Sequence, residues 1–239
     1  METMESTQPM YFDCRNITYH YPKSDIEIFK DLNCALSGPG FHGLFGPSGV
    51  GKSTLARIIA GEIRPAAGEV IAEPFPKVLY SSNMERLPGW SSVGDHVAKV
   101  IPSERIGRME YFLSEFGLAA CRKSRFSQLS LGQKNRINLI RYLLQDFDLL
   151  IMDESLANVD EAMRELIILK IKEMFPEKCF LYISHSVAEV SRFCDTILVL
   201  RSPRKTPQLI TVAGLDFQAG DSLSGSDLER TMLEIVHAV

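Results

Sequence analysis

Gly46-Pro47-Ser48-Gly49-Val50-Gly51-Lys52-Ser53-Thr54 is the stretch on which the rest of the chain depends. An apolar run, Phe41 to Phe45, precedes it, and Leu55-Ala56-Arg57-Ile58-Ile59-Ala60 follows. That order reads as strand, glycine loop, helix. Glycines at 46, 49 and 51 let the backbone curl until successive N–H groups converge on an anion. A helix opening near Lys52 adds its own unpaired N–H groups and a partial positive charge. Lys52 can then reach the outer phosphates of a nucleotide, and the Ser53 hydroxyl can ligate magnesium. A turn that only joins strand to helix has no need of the full G-x-x-x-x-G-K-S pattern, so the stretch reads as a nucleoside triphosphate site.

Two more stretches carry chemistry. Leu149-Leu150-Ile151-Met152-Asp153-Glu154 is a buried type of strand ending in two carboxylates, at the edge where parallel sheets hold ligands. Beside a P-loop, Asp153 would hold magnesium and Glu154 would accept a proton from the water that attacks the γ-phosphate. Leu129-Ser130-Leu131-Gly132-Gln133 fits a capping box through Ser130 and Gln133. The same helix start, with a serine hydroxyl and the bare amide of Gly132, is also a phosphate site, and the residues alone leave both readings open. Read by spacing alone, Tyr21 is a core or edge-strand tyrosine, and His185 is a hydrogen-bonded histidine at a strand end.

Around these motifs the chain alternates strand and helix, with one interruption. Tyr11 to Leu36 reads as two strands about a turn at Tyr21-Pro22-Lys23-Ser24-Asp25, with Ile17, Tyr19 and Tyr21 alternating. Glu69 to Ala72 and Lys77 to Ser82 read as short strands. Helical periodicity then takes over: Val93 to Ile101, Arg105 to Leu118 with Met109, Phe112, Leu113 and Phe116 on one stripe, and Leu131 to Gln145. Alternation resumes with a strand at Phe147 to Met152, a helix at 161–174, a strand at Cys179 to Ile183 and a short helix at Ser186 to Arg192. Ser186 and Glu189 have capping-box spacing. Strands at Thr196 to Leu200 and Gln208 to Val212 and a helix at Asp227 to Val236 close the pattern.

Composition bounds the partners. The 239 residues are 45% hydrophobic and 23% charged, an ordinary globular balance able to bury a sizeable core. A net charge of −4 offers no basic field for nucleic acid. Five scattered cysteines with no C-x-x-C pair read as free thiols in a reducing compartment. Met1 to Met10 is polar, unlike a signal peptide, and no apolar run reaches the roughly 18 residues of a membrane helix.

The order of P-loop, Leu-Ser-x-Gly-Gln, apolar strand ending Asp-Glu, then strand and Ser184-His185 resembles the ATP-binding cassette (ABC) ATPases from Tyr11 to about Val212. The resemblance implies an α/β fold: a P-loop NTPase (RecA-like) parallel-sheet core, an N-terminal antiparallel β region and an inserted α-helical subdomain. The expected division is a nucleotide-binding core at 1–83 and 147–215, a helical lobe at 84–146 and a tail helix within 216–239. It implies that ATP is sandwiched in a homodimer, with Ser130, Gly132 and Gln133 of one copy closing on the nucleotide of the other. Tyr21 would stack on adenine, Asp160 would communicate across the dimer, and His185 would touch the γ-phosphate and position the water. Magnesium would be held by Ser53 and Asp153, and Asn83 stands where the family usually has a glutamine ligand. Leu131 for the usual glycine, Ser155 for proline and Asn158-Val159 for Ala-Leu are further departures. None removes Lys52, Asp153, Glu154 or His185, so an active ATPase is expected.

Glu85-Arg86-Leu87-Pro88-Gly89-Trp90-Ser91-Ser92-Val93 and Leu198 to Arg204 resemble importer subunits of the nitrate, sulfonate and taurine type. That likeness implies a separate membrane permease docking on the helical lobe, a solute-binding protein in the same system, no nucleic acid, and a cytoplasmic location on the inner face of the membrane. Trp90 is read as either a docking residue or a core residue of the lobe. A soluble cassette ATPase acting on DNA or the ribosome is the alternative, as is a weakly hydrolysing regulatory module.

Overall fold

In the β6 strand (Leu149–Asp153) every residue is buried, and its side chains divide between two cores. Leu150 and Met152 face one way, among the apolar residues of the helical segment; Leu149 and Ile151 face the other, toward the P-loop helix. This is the period-2 alternation of a strand covered on both faces, and it explains why the run carries no polar residue before Asp153. The computed structural model describes residues 10–22, 26–73, 76–83 and 87–239. The expected turn residues Lys23, Ser24 and Asp25, the lobe residues Glu85 and Arg86, and the polar start before Met10 lie outside those described.

Along the chain the described elements are β1 (Met10–His20), β2 (Glu27–Ser37), β3 (Gly40–Phe45), α1 (Lys52–Ile59), β4 (Ala67–Glu73) and β5 (Val78–Ser82). Three helices follow, α2 (Val93–Val100), α3 (Ile106–Glu115) and α4 (Leu131–Leu143), with no named strand among the described residues between β5 and β6. After β6 come α5 (Glu161–Met174), β7 (Cys179–Ile183), α6 (Val187–Phe193), β8 (Thr196–Leu200), β9 (Leu209–Ala213) and α7 (Gly225–Ala238).

The strands form a six-stranded sheet, β5-β6-β7-β3-β8-β9, and a three-stranded sheet, β2-β1-β4. Every pair in the larger sheet is parallel except β8–β9, so β9 is an antiparallel edge. The smaller sheet is antiparallel throughout. β4, which reads as a stray short strand, crosses over after α1 to pair with β1, so the N-terminal antiparallel region has three strands rather than two.

Local chemistry sets the helix ends. α3 stops at Glu115 because Gly117 takes φ 64, with the Gly117 and Leu118 amides donating to Ser114 and Leu113 carbonyls. This is a Schellman stop, reached three residues before the expected end at Leu118. α2 is capped by Ser92, which accepts from the Asp95 amide. Val93, Val97, Phe112, Phe116, Ile137 and Ile140 share one buried cluster with Leu150, Met152 and Phe180, so the helical segment is packed against one face of the sheet. Burying side chains of this size contributes about 1.5–3 kcal/mol each. All five cysteines are buried free thiols. Among the described residues no helix is long and apolar enough to cross a membrane.

Candidate active site

β3 delivers the chain to the P-loop at the edge where β6 and β7 also end. Gly46, Gly49 and Gly51 all hold positive φ, at 156, 75 and 111. Gly51 needs to be glycine twice over, since a Cβ there would also lie 2.7 Å from Ile28 Cγ2 on β2. It is the N-cap of α1 and no side chain caps it, which leaves the first N–H groups of the helix for an anion. Pro47 accepts from the Val50 amide, closing the loop between Gly46 and Gly51, and Ser48 is exposed within it.

Lys52 is buried and its Nζ donates to the Gly46 and Pro47 carbonyls at 2.8 and 3.0 Å. Burial holds its pKa below the ordinary lysine value, against the upward pull of Glu154 and Asp153. The ammonium therefore sits inside the loop, in reach of whatever the loop amides bind. Ser53 is exposed and Thr54 buried. The Thr54 hydroxyl lies 2.5 Å from the Tyr21 hydroxyl. Tyr21 is 45% exposed and edge-on to Tyr19 at 5.4 Å, so of the core and edge-strand readings the core one fails; the residue lies just past the end of β1, over the first turn of α1.

Asp153 is buried at the end of β6, and its Oδ2 accepts from the Tyr80 hydroxyl at 2.6 Å. Burial, then the bond to Asp153, pushes the Tyr80 phenol well above its ordinary pKa, which keeps it a donor. Glu154 takes left-handed backbone angles, φ 51, a conformation that costs a residue with a side chain of order 1–3 kcal/mol. Its carboxylate is held from two sides: Asn83 Nδ2 donates to Oε2 at 3.1 Å, and His185 Nε2 lies 2.5 Å from Oε1. Asn83 also donates its backbone N–H to the Asp153 carbonyl at 3.3 Å. Ser53, Asn83, Asp153 and Glu154 face a common cavity of about 650 Å³.

The donors around this cavity fit magnesium that arrives with a nucleotide. Among them the Ser53 hydroxyl and the Asp153 carboxylate are hard oxygen ligands, and two protein ligands leave positions for phosphate and water, as magnesium sites require. Among the described residues no cluster of three or more His, Cys, Asp or Glu could hold a metal by itself. The Asn83 side chain turns its nitrogen toward Glu154, so its established contact is with that carboxylate.

The Leu-Ser-Leu-Gly-Gln stretch forms the start of α4. Both halves of the capping box are present: Ser130 Oγ accepts from the Gln133 amide, and Gln133 Oε1 accepts from the Ser130 amide. Leu131 points outward, 63% exposed. At Gly132 an added Cβ would lie 2.2 Å from the Asn158 carbonyl oxygen, so α4 touches the loop after β6 backbone to backbone. Asp160 caps α5, accepting from the Met163 amide. Among the described residues no hydrogen bond joins Ser130, Gly132, Gln133 or Asp160 to the P-loop.

Residues 29–157, more than half of the chain, match the family described as ABC transporter. The chain belongs to the ABC transporter family. It is 34% identical over 186 residues to an uncharacterised ABC transporter ATP-binding protein of Haemophilus influenzae, covering 74% of this chain and 77% of the relative. It is 32% identical over 203 residues to an aliphatic sulfonates import ATP-binding protein of Rhodococcus jostii, covering 82% of each. In fold it is similar to a dimeric post-hydrolysis ATP-binding cassette bound to ADP and phosphate, with a TM-score of 0.73 and 22% identity, over 85% of this chain and 99% of that one.

In this ABC ATPase three features escape a local reading of the sequence. Tyr80 meets Asp153 only because β5 lies beside β6: Ser82 pairs with Asp153, and Tyr80, two residues earlier, shares that face. Ser155, one of the family departures, has its hydroxyl 3.1 Å from the Ser81 carbonyl oxygen and 3.0 Å from the Ser81 hydroxyl, and so ties the loop after β6 to β5. The expected capping box of Ser186 and Glu189 is only half formed. Ser186 Oγ accepts from the Glu189 amide, but the Glu189 carboxylate is taken by Tyr182, Ser184 and Arg164. These bonds brace the strand end immediately before His185.

Proposed function

We propose that this ABC ATPase is the ATP-hydrolysing subunit of a solute importer, working as a homodimer beneath a separate membrane permease. The observation that carries the hydrolytic part is the Glu154 carboxylate, clasped by Asn83 and His185 and lining the cavity that Ser53 and Asp153 also line. In this reading the loop amides and Lys52 hold the β- and γ-phosphates, and Glu154 takes the proton of the attacking water. His185, in contact with Glu154, orients that water and touches the γ-phosphate. Ser53 and Asp153, with Asn83 as a further candidate, would hold a magnesium ion, which supplies charge neutralisation on the phosphate oxygens. Catalysis is then mostly positioning and electrostatics.

Tyr21 serves adenine stacking, supported by its exposure and its place over α1. Ser130, Gly132, Gln133 and Asp160 act across the dimer, on the nucleotide of the second copy, consistent with their lack of bonds to their own P-loop. Residues 1–83 and 147–215 are read as the nucleotide-binding core, 84–146 as the lobe and 216–239 as the tail. Trp90 is 82% exposed, which removes the core reading and supports the lobe as the permease-docking face. The sulfonate-import relative, by its name, supports the direction of transport; a location on the inner face of the membrane and a solute-binding protein as the third component complete the reading.

Glu154→Gln tests the hydrolytic reading. The variant should bind ATP, lose turnover and accumulate an ATP-bound dimer in size-exclusion chromatography. Near-normal phosphate release would reject Glu154 as the base.

A further inference from the structure

β5 brings a phenol to the carboxylate at the end of β6. In the parallel register Ser82 lies opposite Asp153 and Tyr80 opposite Ile151. Tyr80 is therefore diagonal to Asp153 on the same face, one residue pair removed, a step its long aromatic side chain spans. Its hydroxyl completes the span at 2.6 Å from Oδ2. A short bond from a neutral phenol to a carboxylate is of the charge-assisted kind, stronger than one between neutral groups. The phenol is also anchored. Just after it in the chain, Ser155 bonds to Ser81 and the Asn83 backbone N–H bonds to the Asp153 carbonyl, and both contacts help hold the register of β5 against β6.

We propose that Tyr80 is a positioning residue for Asp153, fixing the carboxylate by one oxygen so that the other is presented to a divalent cation held with the nucleotide. The proposal rests on the reading of Asp153 as the metal-holding carboxylate. It assigns Tyr80 the part of an outer-shell partner: it never touches the cation, but it removes the side-chain freedom that Asp153 would otherwise lose on binding. The phenol uses one of two carboxylate oxygens, so orientation is gained without blocking ligation.

The test uses the full chain with a non-hydrolysable ATP analogue, titrating Mn²⁺ and reading free Mn²⁺ by electron paramagnetic resonance. Tyr80→Phe keeps the ring and removes the hydroxyl. It should weaken Mn²⁺ by about tenfold or more, the usual cost of losing an outer-shell partner, while analogue affinity in EDTA stays at the wild-type value. Tyr80→Leu should weaken Mn²⁺ to the same extent, because the hydroxyl and not the ring is what matters. Asp153→Asn should weaken Mn²⁺ further, and adding Tyr80→Phe to it should change nothing. Unchanged or tighter Mn²⁺ binding in Tyr80→Phe, with Asp153→Asn still impaired, would overturn the role of Tyr80 alone; tighter binding would mean that the phenol competes with the cation. Wild-type Mn²⁺ affinity in Asp153→Asn would overturn the reading of Asp153 itself.

Discussion

Gly132→Ala separates two jobs that one glycine can hold. If Gly132 matters only for a phosphate contact across a dimer, a methyl group there leaves the nucleotide-free subunit as stable as before. The structure argues otherwise. The new Cβ would sit 2.2 Å from the Asn158 carbonyl oxygen and 3.2 Å from its carbon. The first distance is more than an ångström inside ordinary van der Waals contact. The obstacle is backbone, so no side chain can swing aside. Asn158 is already left-handed at φ 61, and the neighbouring Ala157 carbonyl accepts a bond from Asn135 on α4, so the loop has little room to retreat. Overpacking of this kind costs about 1–3 kcal/mol. For a chain of this length each kcal/mol moves Tm by roughly 2–4 °C, so a fall of about 2–12 °C is expected. Circular dichroism of the variant without nucleotide measures it directly. A Tm within 1 °C of wild type (a margin on the order of the smallest shift that scale allows) would refute the packing argument and leave Gly132 a purely ligand-facing residue.

Two further outcomes follow from single side chains. His42 on β3 is buried, and burial lowers its pKa from 6.5 against the upward pull of Asp195, whose carboxylate is 4.0 Å away, and of Asp216. The unfolded chain then holds a proton that the folded one refuses, so stability rises with pH through the window below 6.5 and falls on acidification, by at most about 1.4 kcal/mol per pH unit for one proton. Tm measured from pH 7 to pH 5 should fall, and less steeply in His42→Gln; parallel slopes would rule His42 out as a source. Trp90 is the single tryptophan and is 82% exposed, so intrinsic fluorescence reports on it alone. The isolated subunit should show the red-shifted, readily quenched emission of a solvated indole, and when the permease is added the Trp90 signal, taken as the difference from the same complex made with Trp90→Phe, should be quenched less by acrylamide. Quenching that does not change on complex formation would exclude Trp90 from the docking face.

Features legible in the amino-acid order alone are those that short windows of chain dictate. The P-loop is legible because its glycines, lysine and serine act within nine residues, through backbone angles and the start of one helix. β6 and β7 are legible because a strand buried on both faces has to be apolar throughout. The capping box of Ser130 and Gln133 is legible because both partners lie within one helical turn.

Contacts across some seventy residues become visible only once the chain is folded. Ser81 meets Ser155, Tyr80 meets Asp153 and Asn83 meets Glu154 because β5 lands beside β6, and nothing local in either strand names its neighbour. The same holds for β4 pairing with β1, for the backbone contact that makes Gly132 indispensable to packing, and for Trp90 lying outside the lobe core. Periodicity tells a residue which face it occupies, but only the assembled sheet and helices decide what that face meets.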